Sequence, residues 1–580
     1  MKANKVKYLI LPLIAALLIA STSGLARESY PPDEPLVVPI GGDNRLWEMG
    51  DLEPGKPGGE LSYSTENFPR TFNNLTGEGK TTKNVTKVIM GSGLTAENPV
   101  NGRIVPGLAK SWSITDDGRE YTFYLRQGLK FSDGHPLTAE DVVFTYKQLI
   151  FNREIQTEKR AIIRVEGKLP TVEMVDKLSV KFTIPEPHGP FLRRMSTGIY
   201  PKHKFDGISG EEFTETWSRE TAAESPEEIV GAGPFKLEKF NPEEEIVLTR
   251  NPYYYKVDPE GTQLPYIDRY RVLKVKDDDV EFLKFRSAGI DFIRAQIRDM
   301  PYLLSHADEE NWNLITGKSS RTVPLNADFL TFNWNTGETR LGELFRKIDF
   351  RRAVYLATDF EAIIEEAFNG FGQVQYGPIS RLSSYHNPGI EEQLPVKQNA
   401  EQARELLEGL DIKDRNGDGK REFETGKTVS FGILVNEENG ARKKMAEIIA
   451  RNLGEVGLTV DRQVRDFEEY SSRIINGDFQ ATIASVLANA REPSTLSDIF
   501  TTGGPLHLWN LGPDRELEDW EKEIDNLFQK GLRTSNFSGR KEYYDRVQKI
   551  YAEKLPLIYL PGESFLYATA GSVKNWNQFN

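Results

Sequence analysis

A chain of 580 residues without one cysteine has to be held together by packing, hydrogen bonds and ion pairs alone. The absence excludes a disulfide framework, a thiol nucleophile, an iron–sulfur cluster and a Cys-ligated zinc. It also removes the residue to which a bacterial lipid anchor is attached, so a mature product outside the cytoplasm is expected to be free. The length exceeds what one hydrophobic core supports, and at about 150 residues per domain it suggests three or four units. Lys and Arg number 73 against 87 Asp and Glu, a formal charge of -14, which speaks against a nucleic-acid binder. A mean hydropathy of -0.50 reads as soluble and globular.

The amino terminus is the local exception. Lys2, Lys5 and Lys7 precede a thirteen-residue apolar run at 8–20, followed by the small residues Ser21, Ser23, Gly24 and Ala26. This is the order of a secretory signal peptide, and the run is short of the roughly twenty residues that span a bilayer. Cleavage is expected after Ala26, which removes three lysines and takes the charge from -14 to -17. Asn74, Asn84 and Asn536 open Asn-x-Ser/Thr triplets, which are frequent by chance. Residues 27–58, rich in Pro, Gly and acids, read as a loosely ordered leader.

Further along, Trp112 and Ile114 alternate with polar neighbours, Asp116, Asp117 and Gly118 make a turn, and Tyr121, Phe123 and Leu125 alternate again. This predicts a hairpin. Thr138 to Asp141 form a capping-box pattern ahead of an apolar helix at 142–150. A strand is expected at 331–335, then one helix from Asp349 to Gly370. Residues 428–464 read strand, helix, strand, which predicts a crossover on a parallel sheet. A helix at 467–475, a strand at 481–487, two helices at 515–533 and 539–554 and a strand at 557–560 complete an α/β pattern with more than one sheet.

The motifs VPGLAKSW at 105–112, DDGREYTF at 116–123, LRQGLKFSDG at 125–134 and PLTAEDV at 136–142 closely resemble family 5 of the bacterial extracellular solute-binding proteins. GAGPFKL at 231–237, RNPYY at 250–254, LPYID at 264–268, FRRAV at 350–354 and NGDF at 476–479 follow in that family's order. The resemblance implies a two-lobed periplasmic binding-protein fold of α/β class with the ligand cleft between the lobes. Lobe I would comprise 59–80, 231–320 and 555–580, with an inserted subdomain at 81–230, and lobe II 321–554; the last strand would return to the first lobe. It further implies a monomeric periplasmic receptor that hands a small polar solute, by default an oligopeptide, to the permease subunits of an ABC importer. No catalytic residue and no cofactor are then required. An oligosaccharide is the rival solute, and a secreted glycoside hydrolase or an adhesion protein the rival class.

By the same resemblance the cleft draws on the stretch around Asn73, on Asn333, Trp334 and Asn335, and on a loop containing Asn489 and Glu492. Trp334 offers an apolar face between two amides, or is simply core. Tyr376 and Trp509 are further aromatic candidates. Peptide receptors of the family commonly carry an aspartate in the last loop to pair with the ligand's amine, whereas here residues 488–493 read ANAREP. Glu492 either substitutes for it or caps the helix after Pro493. One motif stands apart from the resemblance: Asp414, Asn416, Asp418, Lys420 and Glu422 fall at the alternate positions of an EF-hand-like calcium loop, with Gly419 at the sharp turn. Its twelfth position is Thr425, not glutamate, so either a weak structural calcium site or a glycine-rich surface turn is expected. The six histidines show no H-E-x-x-H spacing, and no G-x-S-x-G elbow or phosphate loop occurs.

Overall fold

The computed structural model describes residues 28–29, 36–37, 54–98, 102–258, 260–315, 324, 326–487, 491–512 and 515–574. The expected signal peptide lies outside the described residues. Within the leader, Glu28–Ser29 pairs with the edge of a hairpin strand and Leu36–Val37 runs parallel to Lys256–Val257.

A four-stranded sheet, in the order Phe235–Asn241, Glu245–Arg250, Arg269–Lys274 and Glu60–Thr65, founds the first lobe. Between its first and second strands in sequence the chain makes an antiparallel sheet built on Ala109–Ile114 and Glu120–Leu125. That is the expected hairpin, and Gly118 takes the left-handed φ of 69° its turn requires. Thr138 forms its capping box with Asp141, starting a helix at Ala139–Phe144 that widens into a π turn over Thr145–Ile150. Residues of this stretch and of the founding sheet, from Phe68 and Phe72 to Ile246 and Val272, share one hydrophobic cluster.

The second lobe is organised on a five-stranded sheet in the order Thr459–Arg465, Ser430–Asn436, Ala481–Leu487, Asn326–Phe332 and Leu557–Tyr559. The first three strands run parallel and the last two antiparallel to their neighbours. Helix Gly440–Glu455 makes the expected crossover, burying Met445, Ile448, Ile449 and Leu453. Phe332, Phe345, Phe350 and Phe431 pack with ring centroids 4.9 to 6.2 Å apart at the centre of a second hydrophobic cluster.

Three expectations are corrected. The strand expected at 331–335 is Asn326–Phe332, with Trp334 and Asn335 in the turn that follows it. The single helix at 349–370 is two, Ile348–Ala357 and Phe360–Phe368. Thr358 turns its hydroxyl back onto the Val354 carbonyl, and Asp359 caps the second helix by accepting from the Ala362 N–H, so local side-chain bonds break the run. The strand Leu557–Tyr559 does not return to the first lobe but pairs with Asn326–Phe332. The return is made later by Leu566–Ala570, the middle strand between Phe292–Ala295 and Trp312–Ile315. A third, small core of Phe285, Ile293, Leu303, Leu566 and Ala568 lies beside it.

Substituting Phe332→Ala, in a site 1 % exposed, should destabilise the second lobe by about 3–5 kcal/mol. Urea unfolding followed by tryptophan fluorescence measures this, and a loss under about 1 kcal/mol would contradict the packing described.

Candidate functional site

The two lobes meet along a polar seam. From the first lobe come Glu97, at the end of strand Thr95–Glu97, and Arg193, on the short helix Phe191–Arg194. From the second come Arg491, Glu492 at the start of the short turn Pro493–Leu496, and Arg540 on helix Phe537–Lys554.

These side chains alternate in sign. Arg491 Nη1 donates to Glu97 Oε1 at 3.1 Å. Glu97 also pairs closely with Arg193, whose Nε stands 3.8 Å from Glu492 Oε2. Glu492 is held by Arg540 on both oxygens, Nη1 lying 3.0 Å from Oε2. Arg540 also donates from Nε to the Gly531 carbonyl and from Nη1 to the Tyr385 hydroxyl. Glu492 and Arg540 are 5 % and 4 % exposed. Removing either partner from such a pair strands the other charge in a medium of low polarity.

Burial alone would raise the carboxyl of Glu492. The charge and hydrogen bonds of Arg540, with the charge of Arg193, outweigh it and hold the group below its ordinary value. His188 responds in the opposite way to the same surroundings. Burial, then the charges of Arg194 and Arg540, push it from 6.5 down to about 3, so the imidazole stays neutral at the seam.

Close approach of backbone completes the contact. The Gly189 N–H donates across the boundary to the Leu532 carbonyl at 2.6 Å. A Cβ on residue 189 would collide with the Thr534 carbonyl and stand 2.7 Å from Arg540 Nε, so only glycine permits the lobes to come this near. Beside it, the Arg103 guanidinium lies 4.8 Å over the Phe537 ring.

Of the residues expected at the site, the seam receives Glu492. It both caps the following turn, accepting from the Ser494 N–H, and neutralises Arg540. Asn489 lies outside the described residues. Asn73 is fully buried in the first lobe. Its amide donates to the Phe213 carbonyl and the Thr216 hydroxyl and accepts from Tyr200 and the Leu75 N–H, which makes it a joint inside that lobe.

Asn333 is 2 % exposed and donates to the Gly477 and Phe479 carbonyls. Trp334 is 4 % exposed, edge-on to Trp520 and 4.8 Å from the Arg351 guanidinium, so its place in this conformation is the core. Its backbone N–H donates to the carbonyl of Trp509. Trp509 is likewise buried, its indole donating to Glu521. Asn335 is exposed, its side chain 3.5 Å from Arg346. Tyr376 is half-buried under Arg381 and lines a recess of about 30 Å³ with Pro324, Gln375 and His386.

Arg193, Glu97, His188 and Arg540 were not singled out from the sequence. Their partners lie up to 394 residues away, and no local pattern marks them. A larger cavity of about 630 Å³ is lined by residues between Glu140 and Gly210, among them Phe144, Asn152 and Lys202, and by no residue of the second lobe. It is therefore separate from the seam.

Opening of the seam is testable. Gly189→Ala should hold the lobes apart and increase the radius of gyration measured by small-angle scattering; an unchanged radius would contradict the contact. Acid should weaken the same region. His188 is neutral when folded but takes up a proton below about 6.5 when unfolded, so its share of stability is present above 6.5 and lost as pH falls towards 3. Glu492, depressed below 4.5, acts in the same direction at lower pH. His188→Asn should flatten the fall in urea midpoint between pH 6.5 and 4.5.

The comparisons with known proteins agree with this architecture. Residues 103–506 match the family described as bacterial extracellular solute-binding proteins, family 5 middle. The periplasmic alpha-galactoside-binding protein of Rhizobium meliloti is 27% identical over 77% of this chain and 67% of its own length. The oligopeptide-binding protein AppA of Bacillus subtilis is 26% identical over 87% of each chain. The solved structure of an oligopeptide-binding protein OppA superposes with a TM-score of 0.77, at 23% identity, over 93% of this chain and 88% of that one. The match over more than two thirds of the sequence, on a two-lobed fold, makes this chain a member of the bacterial extracellular solute-binding proteins of family 5.

Proposed function

We propose that this protein captures short peptides between its lobes, outside the cytoplasm, and delivers them to the permease subunits of an ABC importer. Lobe closure buries a solute and presents one shape to a membrane partner, with no bond made or broken. No helix among the described residues is long and apolar enough to cross a membrane. In this reading the mature receptor starts near Arg27 and is free in the periplasm.

The observation that carries the peptide reading is the charge at the seam. Arg193, Arg194, Arg491 and Arg540 gather against Glu97 and Glu492. Glu492 is already matched by Arg540, so the excess is positive and suits a carboxylate. A peptide ends in one, and a galactoside has none. AppA, 26% identical, is named for oligopeptides, and the galactoside-binding relative defines the alternative to be tested.

Protein stripped of bound solute by unfolding and refolding should gain several degrees in melting temperature with short free peptides. The same peptides amidated at the carboxy terminus should bind at least tenfold more weakly. Stabilisation by galactosides and not by peptides would overturn the reading.

A further inference from the structure

We propose that the loop at 414–422, which shares no residue with the seam, is a calcium site that fastens the second lobe. One carboxylate oxygen each from Asp414, Asp418 and Glu422 lies within 4.8 Å of the other two. Oxygens at about 2.4 Å around one calcium stand no more than about 5 Å apart, so the three already fit a common ion.

Glu422 supplies the independent observation. It is 1 % exposed. Its Oε2 accepts from the Arg415 N–H at 2.7 Å, while Oε1 is buried without any hydrogen-bond partner. A buried carboxylate oxygen left bare is costly unless something meets it.

The surrounding cations do not meet it. Arg415 is turned to Asp411 and to the Phe423 carbonyl. Arg421 is spent on the Ile412 and Val456 carbonyls and on Glu408. Lys413 pairs with Asp411 and Lys427 with Glu338. Among the described residues no Lys, Arg or His forms an ion pair with Asp414, Asp418 or Glu422. Three carboxylates thus share one small region without a positive partner, and a divalent cation supplies it.

The rest of the donor set is hard oxygen. Asn416, whose amide oxygen accepts from the Asp418 N–H at 2.8 Å, would add that oxygen, and Lys420 its backbone carbonyl, alternating with the carboxylates along the loop. Gly417 and Gly419, at φ of 79° and 86°, allow the chain to wrap. A flexible, all-oxygen loop suits calcium better than magnesium, which demands near-ideal octahedral geometry and retains its waters. Thr425 stands where a bidentate glutamate would tighten the site, and its hydroxyl accepts from Arg340 at 2.7 Å. The affinity should therefore be that of an extracellular module, with Kd about 10⁻⁴ to 10⁻³ M.

The consequence would be structural. The loop joins helix Ala400–Gly409 to strand Ser430–Asn436, and Arg421 ties it to the turn after helix Gly440–Glu455. Calcium would lock this corner without touching a solute.

Isothermal titration of the chelator-treated mature chain with calcium chloride should give one ion per chain in that range, with a rise in melting temperature that equal magnesium does not reproduce. Asp418→Asn keeps an acceptor for the Lys420 N–H and removes only charge, and Asp414→Ala removes a ligand outright. Each should weaken binding at least tenfold and abolish the thermal shift. Absence of stoichiometric binding at several times the upper Kd, or unchanged binding in both variants, would overturn the proposal. Peptide binding in Asp418→Asn should persist, so the outcome is independent of the solute assignment.

Discussion

Glu492 and Arg540 are buried together, and each would be intolerable there alone. Bringing two ions out of water carries a penalty of several kcal/mol apiece, returned only when geometry is close and remaining donors are satisfied. Both conditions hold: the guanidinium grips both carboxylate oxygens, and its other N–H groups reach the Gly531 carbonyl and Tyr385. The pair fixes the shape of the second lobe's face, and that face sets what the first lobe can offer. Arg193 approaches because Glu492 is anionic, and Glu97 sits between Arg193 and Arg491 because both are cationic.

The same pair bears on ligand choice. A carboxylate whose charge is already matched is a poor receptor for an ammonium group, and Glu492 is matched by Arg540. What the seam has in surplus is guanidinium. Recognition by planar, always-charged donors favours a flat anionic group such as a carboxylate over a polyol.

What was legible in the sequence was what is decided locally. The hairpin over Ala109–Leu125, the Thr138 capping box, the parallel unit around Gly440–Glu455 and the loop at 414–422 each depend on neighbours a few residues away, so turn chemistry and periodicity reveal them. The interruption at Thr358 and Asp359 was missed because two capping residues inside an apolar run leave its spacing intact. The site was less legible still. Trp334 between two asparagines looks like a ligand platform in sequence. Its burial is settled by Trp520, nearly two hundred residues downstream, and by Arg351 on helix Ile348–Ala357. Asn73 is likewise committed by residues 200–216. Arginines of the seam carry no motif, since a charge on a helix surface reads the same whether it faces water or the other lobe.

Strand Leu566–Ala570, which brings the chain back, is hydrogen-bonded along its length to Trp312–Ile315, from which the chain leaves. Two strands locked in register can bend together but cannot slip past each other. The outgoing and returning strands thus form one rigid edge, and a solute that closes the lobes would be read out as a change of angle. A membrane partner that reads this angle needs no contact with the solute. Molecules of different sequence or length that share the recognised carboxylate and stabilise the same angle would be passed on alike, and discrimination among them would reside in the geometry of closure.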